Sequence, residues 1–335
     1  MSVIHPTRQF KIMEVCGTHT ASVLRGGLRD LLPAGLCLVS GPGCPVCVTS
    51  ADYIDGVIAT AKDRDAVVVS FGDLFRVRGY SGSFASKRAE GQAFVPVYSP
   101  FDAVDLAKNN PQKIYILAAV GFETTIPIYA LILETICREG IKNLKLAFSL
   151  KTMPEVLDRL CRTQEIDGFI CPGHVSVIIG KYAYIPLFAK YRKPFVISGF
   201  SPEEILAAVK EIYAQLQTGL YSVKNLYPSV VKNQGNTQAK TLIETYFKKS
   251  DGLWRGIGII PNSALIIRPE YADYVINIAE QEDNLPDGCR CADILTGRSA
   301  PDGCPLFGKV CRPDEPVGAC MVSAEGSCRV YYENR

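Results

Sequence analysis

The 335-residue chain is poor in histidine, with three, and has a single tryptophan. It contains no apolar run of the roughly 18–20 residues that spans a membrane. It also lacks a G-x-x-x-x-G-K-[ST] loop, so nothing points to a nucleotide cradled in that way. No sign of charge is in excess: the net charge is +2, with acids and bases interspersed, which gives no nucleic-acid footprint. The opening MSVIHPTRQFKIMEV lacks the apolar h-region of a secretory signal. A soluble chain in the reducing cytoplasm is therefore expected, with no membrane and no nucleic-acid partner. The composition, 47% hydrophobic and 21% charged, is that of a globular protein large enough for two or three cores.

Cysteine is not scarce. There are thirteen, an odd number, and several stand beside Gly, Pro or His instead of inside apolar strands. In a reducing compartment that placement points to metal binding or thiol chemistry. Six fall in the Gly-, Pro- and Asp-rich tail: Cys289, Cys291, Cys304, Cys311, Cys320 and Cys328. Four thiolates can hold a cubane iron–sulfur cluster or a zinc ion, and a tail with so few aliphatic residues gains more from a metal than from its own core. The pattern alone leaves both metals open, and it does not select the four.

The middle of the chain alternates short β-rich runs with helical stretches: LCLVS (36–40), AVVVS (66–70), FVPVYS (94–99), KIYILAAV (113–120), then LKLAFSL, DGFIC and PFVISGF. Ser201 reads as an N-cap with Pro202 at N1 of the following helix. This rhythm predicts an α/β fold with two parallel-sheet units, their boundary between residues 108 and 125, and it fails after about residue 220. Polar or glycine-rich motifs follow the strands: GPGCPVC after LCLVS, FGD with Asp73 after AVVVS, GFETT with Glu123 after KIYILAAV, and CPGHVS with Cys171 and His174 after DGFI. Ligands of open α/β sheets bind outside the carboxyl ends of strands, so these loops are expected to converge on a cleft.

Cys44 and Cys47 of GPGCPVC can be a redox dithiol or half of a metal site. Cys16 and His19 of CGTHT can share a soft metal or act as a thiol–imidazole pair. His174 can line a cleft or pack in a turn. Asp73 and Glu123 can orient a ligand, accept a proton, or cap a helix. Cys171 can contact the site or act as a small buried hydrophobe, and Cys37, Cys137 and Cys161 read as core residues. The aromatic stretch 181–191 can be an inner packing face or a docking surface.

CGTHT at 16–20, GPGCPVC at 41–47, GFETT at 121–125, CPGHVS at 171–176, WRGIG at 254–258 and PVGACMVSAEG at 316–326 occur together and in order. This combination resembles the HypD family of nickel–iron hydrogenase maturation proteins over nearly the whole chain. The resemblance implies two Rossmann-like domains, 31–115 and 116–218, with a third, mixed domain of 1–30 and 219–335 that carries a 4Fe-4S cluster. By the family spacing its ligands are Cys289, Cys304, Cys311 and Cys328, with Cys291 and Cys320 left over. It further implies a scaffold for the Fe(CN)2CO unit, working with a HypC-like small chaperone and receiving cyanide from HypE. Cys16 is then the preferred ligand of the transient iron that carries cyanide and carbon monoxide, and His19 a transient ligand or proton carrier. Cys44 and Cys47 either cycle between dithiol and disulfide or ligate iron. A stand-alone thiol–disulfide oxidoreductase, or a structural protein stabilised by its metal, are the competing readings; neither explains CGTHT.

Overall fold

A computed structural model of the chain describes residues 9–163, 165–281 and 285–334. The first of two sheets contains β1 (Phe10–Glu14), β2 (Leu36–Ser40), β7 (Gly168–Cys171), β8 (Phe195–Ile197) and β9 (Val223–Asn225). All five are parallel, in the order β2-β1-β7-β8-β9. The second holds β3 (Val67–Phe71), β4 (Phe94–Val97), β5 (Tyr115–Gly121), β6 (Leu144–Lys151), β10 (Phe247–Trp254) and β11 (Gly258–Ile267), with β12 (Val275–Ile276) beside β6. Its order is β10-β11-β6-β5-β3-β4, where β3 to β6 are mutually parallel and β10–β11 is an antiparallel hairpin added at one edge.

The first parallel set thus runs second, first, third, fourth, fifth in its own strand order, and the second runs second, first, third, fourth. The order reverses between β1 and β7 in one sheet and between β3 and β5 in the other. Such reversals leave a crevice at the carboxyl ends of the two strands, because their connections leave toward opposite faces.

Local chemistry accounts for the elements. β5 reads YILAAVG and is buried at every residue, as a strand covered on both faces must be. The helix Ala51–Asp63 buries Tyr53, Ile54, Val57, Ile58 and Ala61 on one stripe, and the Ser50 side chain accepts the Tyr53 N–H at its start. The helix Pro202–Thr218 opens on a reciprocal Ser201–Glu204 capping box, with Pro202 at N1 as expected. Pro96 in β4 and the exposed Lys248 and Lys249 in β10 blunt the two edges of the second sheet.

The strands pair across the divisions expected from sequence. β3 and β5 lie on either side of the expected boundary yet are neighbours, while β2 sits in the other sheet with β1 and β7. Periodicity reveals strands and helices but not their partners; here the chain leaves the first sheet after β2, builds the second, and returns at β7. The stretch expected to form one unit after residue 219 also divides: β9 joins the first sheet and β10 to β12 the second. Only 285–334 stands outside both, built of the short helices Cys291–Leu295 and Ser327–Glu333 and tight 3-10 turns. It packs its last helix on Gly17–Arg25, the helix that opens with CGTHT. Among the described residues, no helix is long and apolar enough to cross a membrane.

Candidate thiol and metal centre

Cys16 ends the turn after β1 and precedes the helix Gly17–Arg25. Its side chain is buried, and burial pushes the thiol up to about 11, with the nearby Glu325 carboxylate adding to the rise. Cys16 is therefore a neutral thiol at pH 7 and must shed its proton to hold a metal. His19 follows one turn later, wholly buried. Its Nε2 lies 2.9 Å from the Gly199 carbonyl, which can only accept, so Nε2 carries the hydrogen. Its Nδ1 is then an unprotonated lone pair, buried and without a partner. Burial drives its pKa down to about 4, which keeps the ring neutral. A neutral imidazole with a free nitrogen is chemically able to ligate a metal, as a deprotonated Cys16 would be.

His174, after β7, is exposed and stacks on Phe200 at 4.1 Å between ring centroids; His19 packs on the same ring at 4.9 Å. The two loops at the reversal of the first sheet are thereby joined through one aromatic side chain. Asp73, after β3, accepts a hydrogen bond of 2.8 Å from Ser323 Oγ. Ser323 Oγ also accepts the Glu325 N–H, and Glu325 Oε1 accepts from Thr18 Oγ1 of CGTHT at 3.3 Å. Burial raises the Glu325 pKa, opposed by Thr18 and His174 and assisted by Asp73. His174 and Asp73 thus flank Glu325, whose carboxylate is the charged neighbour of Cys16. Sequence reasoning quoted the segment carrying Ser323 and Glu325 but gave neither a role, because nothing local says that a tail loop inserts between two sheets.

GPGCPVC follows β2 and lies directly against Cys16: a Cβ on Gly43 would stand 2.4 Å from Cys16 Cα, so glycine is required there. The Cys47 N–H donates to Cys44 Sγ at 3.3 Å. Cys47 is fully buried, which raises its pKa, and its Sγ donates to the Ala319 carbonyl at 3.9 Å, one residue before Cys320. Cys320 Sγ in turn lies 2.6 Å from Cys291 Sγ, and Cys291 interacts with Cys289. Cys44, Cys47, Cys320, Cys291 and Cys289 are thus electrostatic neighbours in succession from the first sheet into the tail, with a direct sulfur contact between Cys320 and Cys291. The two tail cysteines outside the expected quartet stand in the middle of that succession.

All six tail cysteines line one apolar cavity closed by Ile294, Phe307 and Met321. Burial raises the Cys328 pKa, followed by the fields of Cys289, Cys311 and Cys304, the other three of the expected quartet. The Val317 N–H donates to Cys311 Sγ at 3.4 Å, and a Cβ on Gly318 would stand 2.8 Å from Cys289 Sγ. Arg255, buried, donates to the Arg78 and Thr49 carbonyls while its own N–H bonds Val48 O, just past Cys47. The neighbouring Cys291 and burial raise the Cys289 pKa well above the usual thiol range, and the Arg255 charge opposes that rise only in part. A buried cation, backbone donors to sulfur and four neighbouring thiols suit an anionic, thiolate-held group. Among the described residues, no three His, Cys, Asp or Glu side chains are drawn together around a single ion.

Glu123 does not join this centre. Its Oε1 accepts the Met153 N–H at 2.8 Å, so it caps the helix Met153–Cys161 across the sheet. Its Oε2 is buried without a partner, and burial raises its pKa to about 8. Cys171 is fully buried and Cys161 nearly so, both packed in the core, whereas Cys37 and Cys137 are only half-buried. The stretch 181–191 buries Tyr184 and Leu187 and exposes Tyr182 and Ile185.

The family profile described as "HypD: Hydrogenase formation hypA family" matches residues 1–335. The chain belongs to the HypD family. Among curated HypD-family relatives, the hydrogenase expression/formation protein HupD of Azotobacter chroococcum mcd 1 is 40% identical, covering 98% of this chain and 90% of its own. A putative hydrogenase expression/formation protein of Methanocaldococcus jannaschii is also 40% identical, over 98% of this chain and 92% of its own. The hydrogenase maturation factor HypD of Azotobacter vinelandii is 40% identical with 98% and 90% coverage.

Proposed function

We propose that this HypD-family chain is a cytoplasmic assembly scaffold in nickel–iron hydrogenase maturation. On this reading it holds, with a HypC-like chaperone, the iron that becomes the Fe(CN)2CO unit, and accepts cyanide delivered by HypE. One observation carries the reading: a whole-chain family match whose CGTHT and GPGCPVC motifs lie against each other while all six tail cysteines line one apolar cavity. Iron is cargo. Cys16 is its protein ligand after losing a proton, His19 Nδ1 offers a second donor, and Glu325, flanked by His174 and Asp73, is the charged neighbour of Cys16. Retention by one soft thiolate and one neutral nitrogen is weak enough to allow release to a competing partner.

Cys289, Cys304, Cys311 and Cys328 would hold a 4Fe-4S cluster in the tail unit that the opening helix joins. When bound, that cluster supplies one-electron chemistry. The chain's own sulfurs do the rest by exchange. A Cys44–Cys47 disulfide is opened by attack of the Cys320 thiolate on Cys47, which gives a mixed disulfide and frees Cys44. Cys291 then displaces Cys47, leaving Cys291–Cys320 oxidised. Both cysteines of GPGCPVC are buried, which argues against a stand-alone enzyme acting on exposed disulfides of other proteins.

Infrared spectroscopy of the chain co-purified with its small chaperone tests the proposal. Cyanide and carbon monoxide stretches in the triple-bond region are expected, and are lost with Cys16→Ala. A complex that supports maturation yet never carries those bands would overturn it.

A further inference from the structure

A cavity of about 700 Å³ lies away from the cysteines. It is an open groove between the two sheet units, outside the carboxyl ends of β5 and β6. One wall is Ile178 and Ala183 from the first unit; the other is Ile243, Phe247 and Leu265 from the second. Glu123 also lines it, with an unpartnered, buried Oε2. Lys240, Lys248, Lys249 and Arg268 contribute four cations to the lining against the two acids Glu155 and Glu244. Of the cations, Lys249 pairs with Glu155, while Lys240 and Arg268 donate to backbone carbonyls.

An apolar groove at an inter-unit crease, with one buried polar group and a net positive lining, has the composition of a small-molecule site. We propose that it binds a compact apolar organic anion, a carboxylate or sulfonate. The apolar body lies on Ile178, Ile243, Phe247 and Leu265, and the anionic oxygen meets the Glu123 carboxyl and the cationic side chains. Glu123 Oε1 is already committed to the Met153 N–H, so a protonated Oε2 donates its hydrogen to the ligand oxygen. Burial keeps that proton on until about pH 8. The charged or titratable groups facing it are Glu155, Tyr182, Tyr184, Lys240, Glu244, Lys248, Lys249 and Arg268. Above that pH the new carboxylate repels the anion. This inference does not depend on the maturation reading.

Isothermal titration of the anaerobically purified full chain with 8-anilinonaphthalene-1-sulfonate and with octanoate tests it. One saturable site is expected at pH 7. Ala183→Phe fills the groove and should weaken binding about tenfold, the scale on which a few methylenes act in a pocket. Lys248→Glu, an exposed change that leaves the walls intact, should weaken it several-fold through charge. Affinity should fall from pH 7 to pH 9 in the parent and stay flatter in Glu123→Gln. No binding in the parent, or binding indifferent to both Ala183→Phe and Lys248→Glu, overturns the proposal. So does an equal pH response in Glu123→Gln. If no anion binds and Ala183→Phe instead strips a co-purifying protein from the chain, the groove is a protein interface and the small-molecule site is refuted.

Discussion

At the reversal of the first sheet, the loops after β1 and β7 present Cys16, His19 and His174; at that of the second, the loops after β3 and β5 present Asp73 and Glu123. The order of the first four parallel strands is the same in both, and so is the crevice it creates. The chemistry differs because the donors differ. The first crevice has a neutral imidazole with an unpartnered nitrogen and a thiol that burial keeps protonated. The two carboxyls are spent separately: Asp73 anchors the tail through Ser323, and Glu123 caps a helix beneath a distant groove. Topology offers a site twice, and side chains decide that only one becomes a thiol centre.

The largest effect that would break this contrast is loss of maturation by changes at the first crevice alone. Cys16→Ala, and the double change Cys44→Ala with Cys47→Ala, should drop hydrogenase activity in a maturation assay to background. Circular dichroism and tail metal content should stay near the parent values. A double variant that matures hydrogenase fully would return GPGCPVC to a structural turn.

Within the tail, the quartet and the relay pair should separate. Cys304→Ala should remove most of the iron and sulfide, about four of each per chain in the parent prepared anaerobically. Cys291→Ala should retain most of both while losing maturation. Stoichiometric zinc without sulfide, when both metals are offered, would rule out the quartet as a cluster site.

At the second crevice the expected response is in stability and depends on pH. Burial raises the Glu123 pKa from 4.5 to about 8 in the folded chain. Its proton therefore stabilises the fold fully below about pH 4.5, and that contribution is lost progressively as pH rises to about 8, at up to roughly 1.4 kcal/mol per unit. Glu123→Gln cannot ionise, so its Tm relative to the parent should improve from pH 5 to pH 8. A constant difference would mean that Glu123 is not buried as a neutral acid. The smallest effect is expected at the tie between crevices: Ser323→Ala removes its hydrogen bond to Asp73 and should cost about 1 kcal/mol in denaturant unfolding.

Much of the secondary structure was legible. LCLVS, KIYILAAV and PFVISGF carry strands where alternation and β-branched content put them, and Ser201–Pro202 starts its helix by a local side-chain bond. Others were not. β1 lies in FKIME, too short and charged to stand out, and becomes a strand because β2 and β7 flank it. The β10–β11 hairpin, in a region where the α/β rhythm had stopped, is held by β6 across more than a hundred residues. Glu123 was read beside the other motif residues because it follows a strand as they do; its partner, Met153, could not be inferred from spacing.

By itself the sequence determined the α/β class, the loops that carry chemistry, and the family, since each rests on residue types at short, fixed separations. Tertiary structure alone decided that the two parallel sets interleave along the chain, that Cys320 lies against Cys291 in one cavity with the other tail cysteines, and that Ser323 and Glu325 tie the tail to Asp73 and Thr18. The bonds of Ser323 with Asp73 and of Glu325 with Thr18 join residues hundreds of positions apart. Their energies come from burial and hydrogen bonding between elements, which no local pattern encodes.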